Sequence, residues 1–326
     1  MQITVSFLSA RLAAVTVLLL LPFPFLPTEA HQLSLPPKTS EIIEKVYSFD
    51  LDGARQAASQ MQKEHPDDPL GYLLESDALW WRVWCTAAEF KYGMSDARRR
   101  AKLPVDQHYL ELAATASSLA SAQLRQQESA AMQLYAGLAD AAAARLYALR
   151  GENRNTARFG VRARDHFLRA KTLDPNLADA DFGLGLYNYY VDTLSAMARI
   201  LRFFMGIPGG SKQEGIRLLE HSISYGVLTP DIARFYLATN LHRYDQQYER
   251  ALTILSPLSE KYPSNPLFQL ARGDLLAKLG RKPQALECYR AAAVLPVHEP
   301  ECQARIQQLA RASISALGLP QEPAAP

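Results

Sequence analysis

The chain has 326 residues, 48% of them apolar and 21% charged, with 35 Lys and Arg against 33 Asp and Glu. A net charge of +2 excludes a bulk basic surface for nucleic acid, and the apolar fraction excludes a chain that is disordered throughout. Ala, Leu, Arg, Gln and Glu dominate, and alternating β-branched runs are absent beyond the N-terminal segment, so the composition predicts an all-α fold.

The first 30 residues read as a secretory signal peptide. Arg11 precedes the apolar run Leu12–Leu21, which passes through Pro22, Pro24 and Pro27 to the small-residue site Thr28-Glu29-Ala30. The run is shorter than the about 20 residues a membrane span needs, and no cysteine follows it for lipid attachment. The mature chain is therefore expected to be exported, periplasmic or secreted, with an uncleaved N-terminal anchor as the alternative. Residues 31–38 form a Pro-rich lead-in.

Thr39 or Ser40 then offers a helix N-cap, and Ile42, Ile43, Val46 and Tyr47 recur at helical spacing. After a turn at Asp50–Gly53, a second helix through Ala54, Ala57, Ala58 and Met61 ends before Pro66. Periodicity places further helices at Leu70–Phe90, Val105–Gln127, Ser129–Arg150 and Arg154–Leu173. Residues 91–102, with Arg98, Arg99 and Arg100, read as a solvated basic connector.

The unit of helix, short turn, helix and proline recurs, most clearly over Thr229–Pro296. Small residues fall where two helices must approach: Gly185, Ala238 and Gly273 on first helices, Ala163, Ala251 and Ala285 on second ones. Phe167, Leu255 and Tyr289 follow at the large apolar position, and Pro175, Pro263 and Pro296 close their units. This pattern resembles the tetratricopeptide repeat (TPR), of the kind found in exported bacterial proteins. The resemblance implies a right-handed α-solenoid of about six TPR-like helix pairs over residues 39–318, with Glu299–Ala316 as a polar-faced C-terminal capping helix. Residues 319–326 are a Pro/Ala tail expected to be disordered.

Residues 191–208 interrupt the repeat. Leu194, Met197, Leu201 and Phe204 keep helical spacing, and Phe203 widens the apolar face, so the insertion reads as an amphipathic helix. It either covers the repeats or touches a partner or membrane. The loop Gly206–Lys212 fails the phosphate-loop spacing, because Ser211 precedes Lys212 instead of following it, and reads as a turn into a helix.

The resemblance also implies a concave groove lined by first helices, which bind protein or peptide segments. On this pattern the lining residues are Asp179, Phe182, Leu186, Tyr189, Tyr190, Phe235, His242 and Arg243. Arg154, Arg158 and Arg162 share one face of a second helix and read as a solvated, salt-bridged stripe. Trp80, Trp81 and Trp84 read as core, the sugar-stacking alternative being a glycan-acting enzyme. Cys288 and Cys302 fall on neighbouring helices and either pair or remain buried thiols. No metal-ligand spacing, HExxH or GxSxG occurs.

The expected function is thus a non-catalytic, cofactor-free protein- or peptide-binding scaffold of the cell envelope. The alternative is a membrane-peripheral assembly factor that uses residues 191–207.

Overall fold

Helix entry follows local chemistry at most elements. Asp50 accepts the Gly53 N–H at 3.0 Å, Ser129 accepts that of Met132, and Asn265 accepts those of Leu267 and Phe268. Four later helices carry Pro within their first two positions, where a missing N–H costs no intrahelical bond. The computed structural model describes residues 33–87, 102–195, 202 and 206–318. The chain divides into Met1–Ala30 and His31–Pro326, and the second unit is the one with described structure.

Thirteen α-helices and no strand occur among the described residues. They are α1 (Thr39–Tyr47), α2 (Leu51–Glu64), α3 (Pro69–Ala87), α4 (Val105–Gln126), α5 (Ala130–Arg150), α6 (Asn153–Leu173) and α7 (Asp179–Asp192). There follow α8 (Lys212–Tyr225), α9 (Pro230–Asn240), α10 (Tyr248–Lys261), α11 (Pro266–Lys278), α12 (Lys282–Val294) and α13 (Pro300–Ala316). Each packs on the next in sequence, giving an all-α solenoid of consecutive helix pairs. First helices also meet across pairs: α1 with α3, α3 with α5, α5 with α7, and α7 with α9. Between α9 and α10 the chain makes one π-helical turn, Leu241–Asp245, that spacing alone does not foresee.

The small residues sit where pairs touch. A Cβ on Gly215 would lie 2.7 Å from both the Gly185 carbonyl oxygen and the Tyr189 nitrogen, so α7 and α8 meet backbone to backbone. Backbone cannot rotate away as a side chain can. Gly215→Ala is therefore expected to destabilise by about 1–3 kcal/mol or more, read as a lower urea midpoint. A Cβ on Gly273 would meet Tyr289 at 2.6 Å, a clash that ring motion can partly relieve.

The inner side of the array is filled. Trp81 of α3 packs on Phe235 of α9 at 4.9 Å between ring centroids and on Phe268 of α11 at 5.5 Å. Tyr47 of α1 meets Tyr262 at 5.5 Å and Phe268 at 6.4 Å. Asn265 donates to the Tyr47 carbonyl at 2.9 Å and Ser264 to that of Ser48 at 2.8 Å. The last pairs are thus seated on the first, and the aromatic side chains that would line an open groove form a shared core.

The final helix does not end the stack as a free cap. It packs on α3 as well as α12, and Cys302 is disulfide-bonded to Cys85 across a sequence separation of 217. Cys302 accordingly pairs neither with Cys288 nor remains a thiol; Cys288 is the buried free cysteine. Neighbouring helices put Cys288 and Cys302 close in sequence, but closure of the array brings Cys85 to Cys302.

Candidate binding face beside the insertion

The residues expected to line a groove separate into two groups. Asp179, Phe182, Tyr189 and Phe235 are buried, at 1%, 6%, 0% and 2% exposure, so they offer no surface to a ligand. What they meet is the rest of the chain. Asp179 Oδ1 accepts from the backbone N–H groups of Leu228 and Thr229 at 2.8 Å and of Val227 at 3.1 Å, and from the Thr229 hydroxyl at 2.8 Å. It fastens the turn between α8 and α9. Phe182 packs on Tyr236 at 6.1 Å, and Phe235 lies in the aromatic core.

Leu186, Tyr190, His242 and Arg243 are half-buried. Leu186 and Tyr190 stand one turn apart on α7, and His242 and Arg243 belong to the π turn. The Tyr190 hydroxyl donates to Asn240 Oδ1 at 3.0 Å, and its ring meets that of Tyr244 at 6.4 Å. Tyr244 is 41% exposed and Leu194, just past the end of α7, 37%. The remaining insertion contacts, Met197, Leu201, Phe203 and Phe204, lie outside the described residues.

Beneath this face a polar cluster holds the π turn. The Tyr189 hydroxyl donates to Asp245 Oδ2 at 2.8 Å and lies 3.1 Å from the Asn240 carbonyl oxygen, while Lys212 pairs with Asp245 Oδ1. Burial, with the neighbouring Asp245, pushes the Tyr189 phenol well above its ordinary range. Asn240, Asp245 and Lys212 were not legible as partners, because no repeat position marks them. At the entry to α8, Lys212 N–H donates to Asp192 Oδ2 at 2.9 Å and Ser211 N–H to Asn188 Oδ1 at 3.2 Å. These amides already serve protein acceptors, as the turn reading of this loop expects.

The other features resolve into structural roles. Trp80, Trp81 and Trp84 are buried and present no stacking face for a sugar. In the arginine stripe, Arg158 donates to Asn155 at 3.2 Å, and Arg154 is exposed. Arg162 Nε lies 3.1 Å from Asp140 Oδ2, an ion-pair distance without hydrogen-bond alignment, so that buried oxygen has no bonded partner.

Burial raises the Asp140 carboxyl to about 6, against lowering by Arg162 and Ser117. A carboxyl that binds its proton more tightly folded than unfolded stabilises the fold at low pH. That contribution is lost as pH rises from about 4 through 6. Asp140→Asn is expected to flatten this slope and to gain relative to wild type toward neutral pH, in urea titrations at pH 4, 5, 6 and 7.

Among the described residues no group of His, Cys, Asp and Glu could hold a metal ion, and no helix is long and apolar enough to cross a membrane. No family model matches the chain, and no curated protein matches it in sequence. Among solved structures, that of yeast Tom70 aligns over 85% of this chain and 88% of its own, with 11% identity and a TM-score of 0.29. That likeness is too loose to carry any inference about this chain.

Proposed function

We propose that the chain is a non-catalytic protein-binding scaffold of the cell envelope. It engages its partner through the face formed by Leu186, Tyr190, Leu194 and the π turn with His242, Arg243 and Tyr244. The observation that carries this reading is the shared aromatic core: Trp81, Phe235 and Phe268 are buried against one another, so binding falls to the surface beside them. The π turn supports the choice of face, since such turns recur at functional sites. Tyr190 and Tyr244 add broad contact area with polar tips. An envelope location is supported by the signal-like leader and by the Cys85–Cys302 disulfide, a bond kept in oxidising compartments.

A photo-crosslinking residue at position 244 in living cells is expected to trap a discrete envelope protein. The same residue at position 294, where Val294 is 79% exposed, is expected not to. Absence of an adduct at 244, or identical adducts at both positions, would contradict the reading.

A further inference from the structure

Helices α6, α7 and α8 leave between them a furrow of about 460 Å³, within the range of ligand sites. Leu168, Leu184 and Leu218 form its apolar walls. Asp181 lies among its lining residues and is 2% exposed. Its Oδ2 accepts from Lys171 at 3.1 Å and faces His221 Nδ1 at 2.7 Å, whereas its Oδ1 is buried without a hydrogen-bond partner.

The cations of this furrow are all answered. Lys171 pairs with Asp181, Arg217 with Glu214 at 2.6 Å and Arg164 with Asp165 at 3.2 Å. Three cations thus meet three carboxylates, and neither an anion nor a further cation finds a free counter-charge. What the furrow lacks is a donor. A buried acceptor without one is costly, the more so on a charged group, so an occupant that brings an N–H or O–H is favoured.

That occupant is uncharged, apolar in body and equipped with a donor. The indole of tryptophan meets all three conditions. Its N–H is a donor only, so it satisfies Oδ1 without bringing an acceptor that needs a partner of its own. An arginine bonded to a carboxylate in its own plane also keeps a flat face free for an aromatic ring. Arg217 is such a group, since its Nε and Nη2 both donate to Glu214 and it is 64% exposed. Tyr225, 68% exposed with its ring 4.9 Å from that of His221, continues the aromatic surface.

The Asp181 carboxylate can turn to receive the donor. The last torsion of an aspartate is soft and two-fold, and Lys171 and His221, which hold Oδ2, are 22% and 37% exposed and can follow it. We infer that this furrow takes the tryptophan side chain of a partner segment, with the indole N–H on Asp181 Oδ1 and the ring against the leucine walls. The inference names a partner chemistry for the scaffold proposed above and rests on that reading, but it uses a different face.

The test is NMR titration of the full, oxidised chain with acetyl-Leu-Trp-Leu-amide. The comparisons are the same peptide methylated at the indole nitrogen and acetyl-Leu-Glu-Leu-amide. The tryptophan peptide is expected to shift the methyl resonances of Leu168, Leu184 and Leu218, and its indole N–H proton should move downfield. Methylation should weaken binding about tenfold, the scale of one hydrogen bond to a charged group, and the acidic peptide should bind more weakly still. In Asp181→Asn the difference between the two indoles should shrink; if that variant fails to fold, the wild-type comparison decides alone.

Equal binding of the methylated peptide, equal or tighter binding of the acidic one, or shifts confined to other sites would overturn the inference. Adducts retained at position 244 with no peptide binding here would end this inference alone; their absence as well would end the scaffold reading with it.

Discussion

Replacing Trp81 with alanine is expected to lower stability by about 3–5 kcal/mol, the range for removing a fully buried aromatic side chain. Trp81 has no exposed surface and touches Tyr47, Trp84, Phe235 and Phe268, which come from both ends of the array. Loss should therefore not stay local. In an open solenoid, where each repeat contacts only its neighbours, a change in α3 would loosen the first pairs and leave α11 and α12 protected. Here, hydrogen exchange should show faster opening in α1, α3, α9 and α11 together. Trp81→Phe is expected to cost less, because a ring is kept and the indole N–H, which has no partner in this core, is removed. Urea titration checks the magnitudes, and exchange mapping checks the spread.

The second large effect lies in the disulfide. Replacing both Cys85 and Cys302 with alanine is expected to lower stability by about 5 kcal/mol on the chain-entropy model, given the sequence separation of 217. One thiol should titrate in the unfolded, unreduced protein and three after reduction. Peptide mapping should find Cys85 joined to Cys302 and Cys288 free. A Cys288–Cys302 linkage, or three titratable thiols before reduction, would contradict the fold. Both sulfurs are buried, with Cys85 at 1% and Cys302 at 0% exposure, so reduction should be slow until the array opens.

Much of the helical framework was legible in the sequence because its causes are local. Pro175, Pro263 and Pro296 close their units, and the small residues Gly185 and Gly273 sit at close approaches. The repeat pattern marks Phe182, Tyr189 and Phe235 as groove-lining residues, whereas the structure buries them within the chain. What they face is not local. It depends on the small rotation from each pair to the next, summed over the array, and no single repeat encodes that sum. The structure sets Phe235 against Trp81 at 4.9 Å between ring centroids.

The pairing of Cys85 with Cys302 was hidden for the same reason. So was the Lys212–Asp245 pair, which requires the insertion's return loop to meet the π turn.

Closure of the array is the central claim, and one distance tests it. His298 Nδ1 lies 3.7 Å from Asp52 Oδ2, and the two side chains are 75% and 55% exposed, so both positions accept labels without disturbing the core. Spin labels on Asp52→Cys and His298→Cys, attached to the oxidised protein, are expected to give a narrow distribution in pulsed electron resonance below about 25 Å. That figure allows two label tethers on helices packed roughly 10 Å apart. An open array would separate these positions by several helix layers at about 10 Å each, roughly 50 Å in all. A broad distribution centred there would contradict the closed structure.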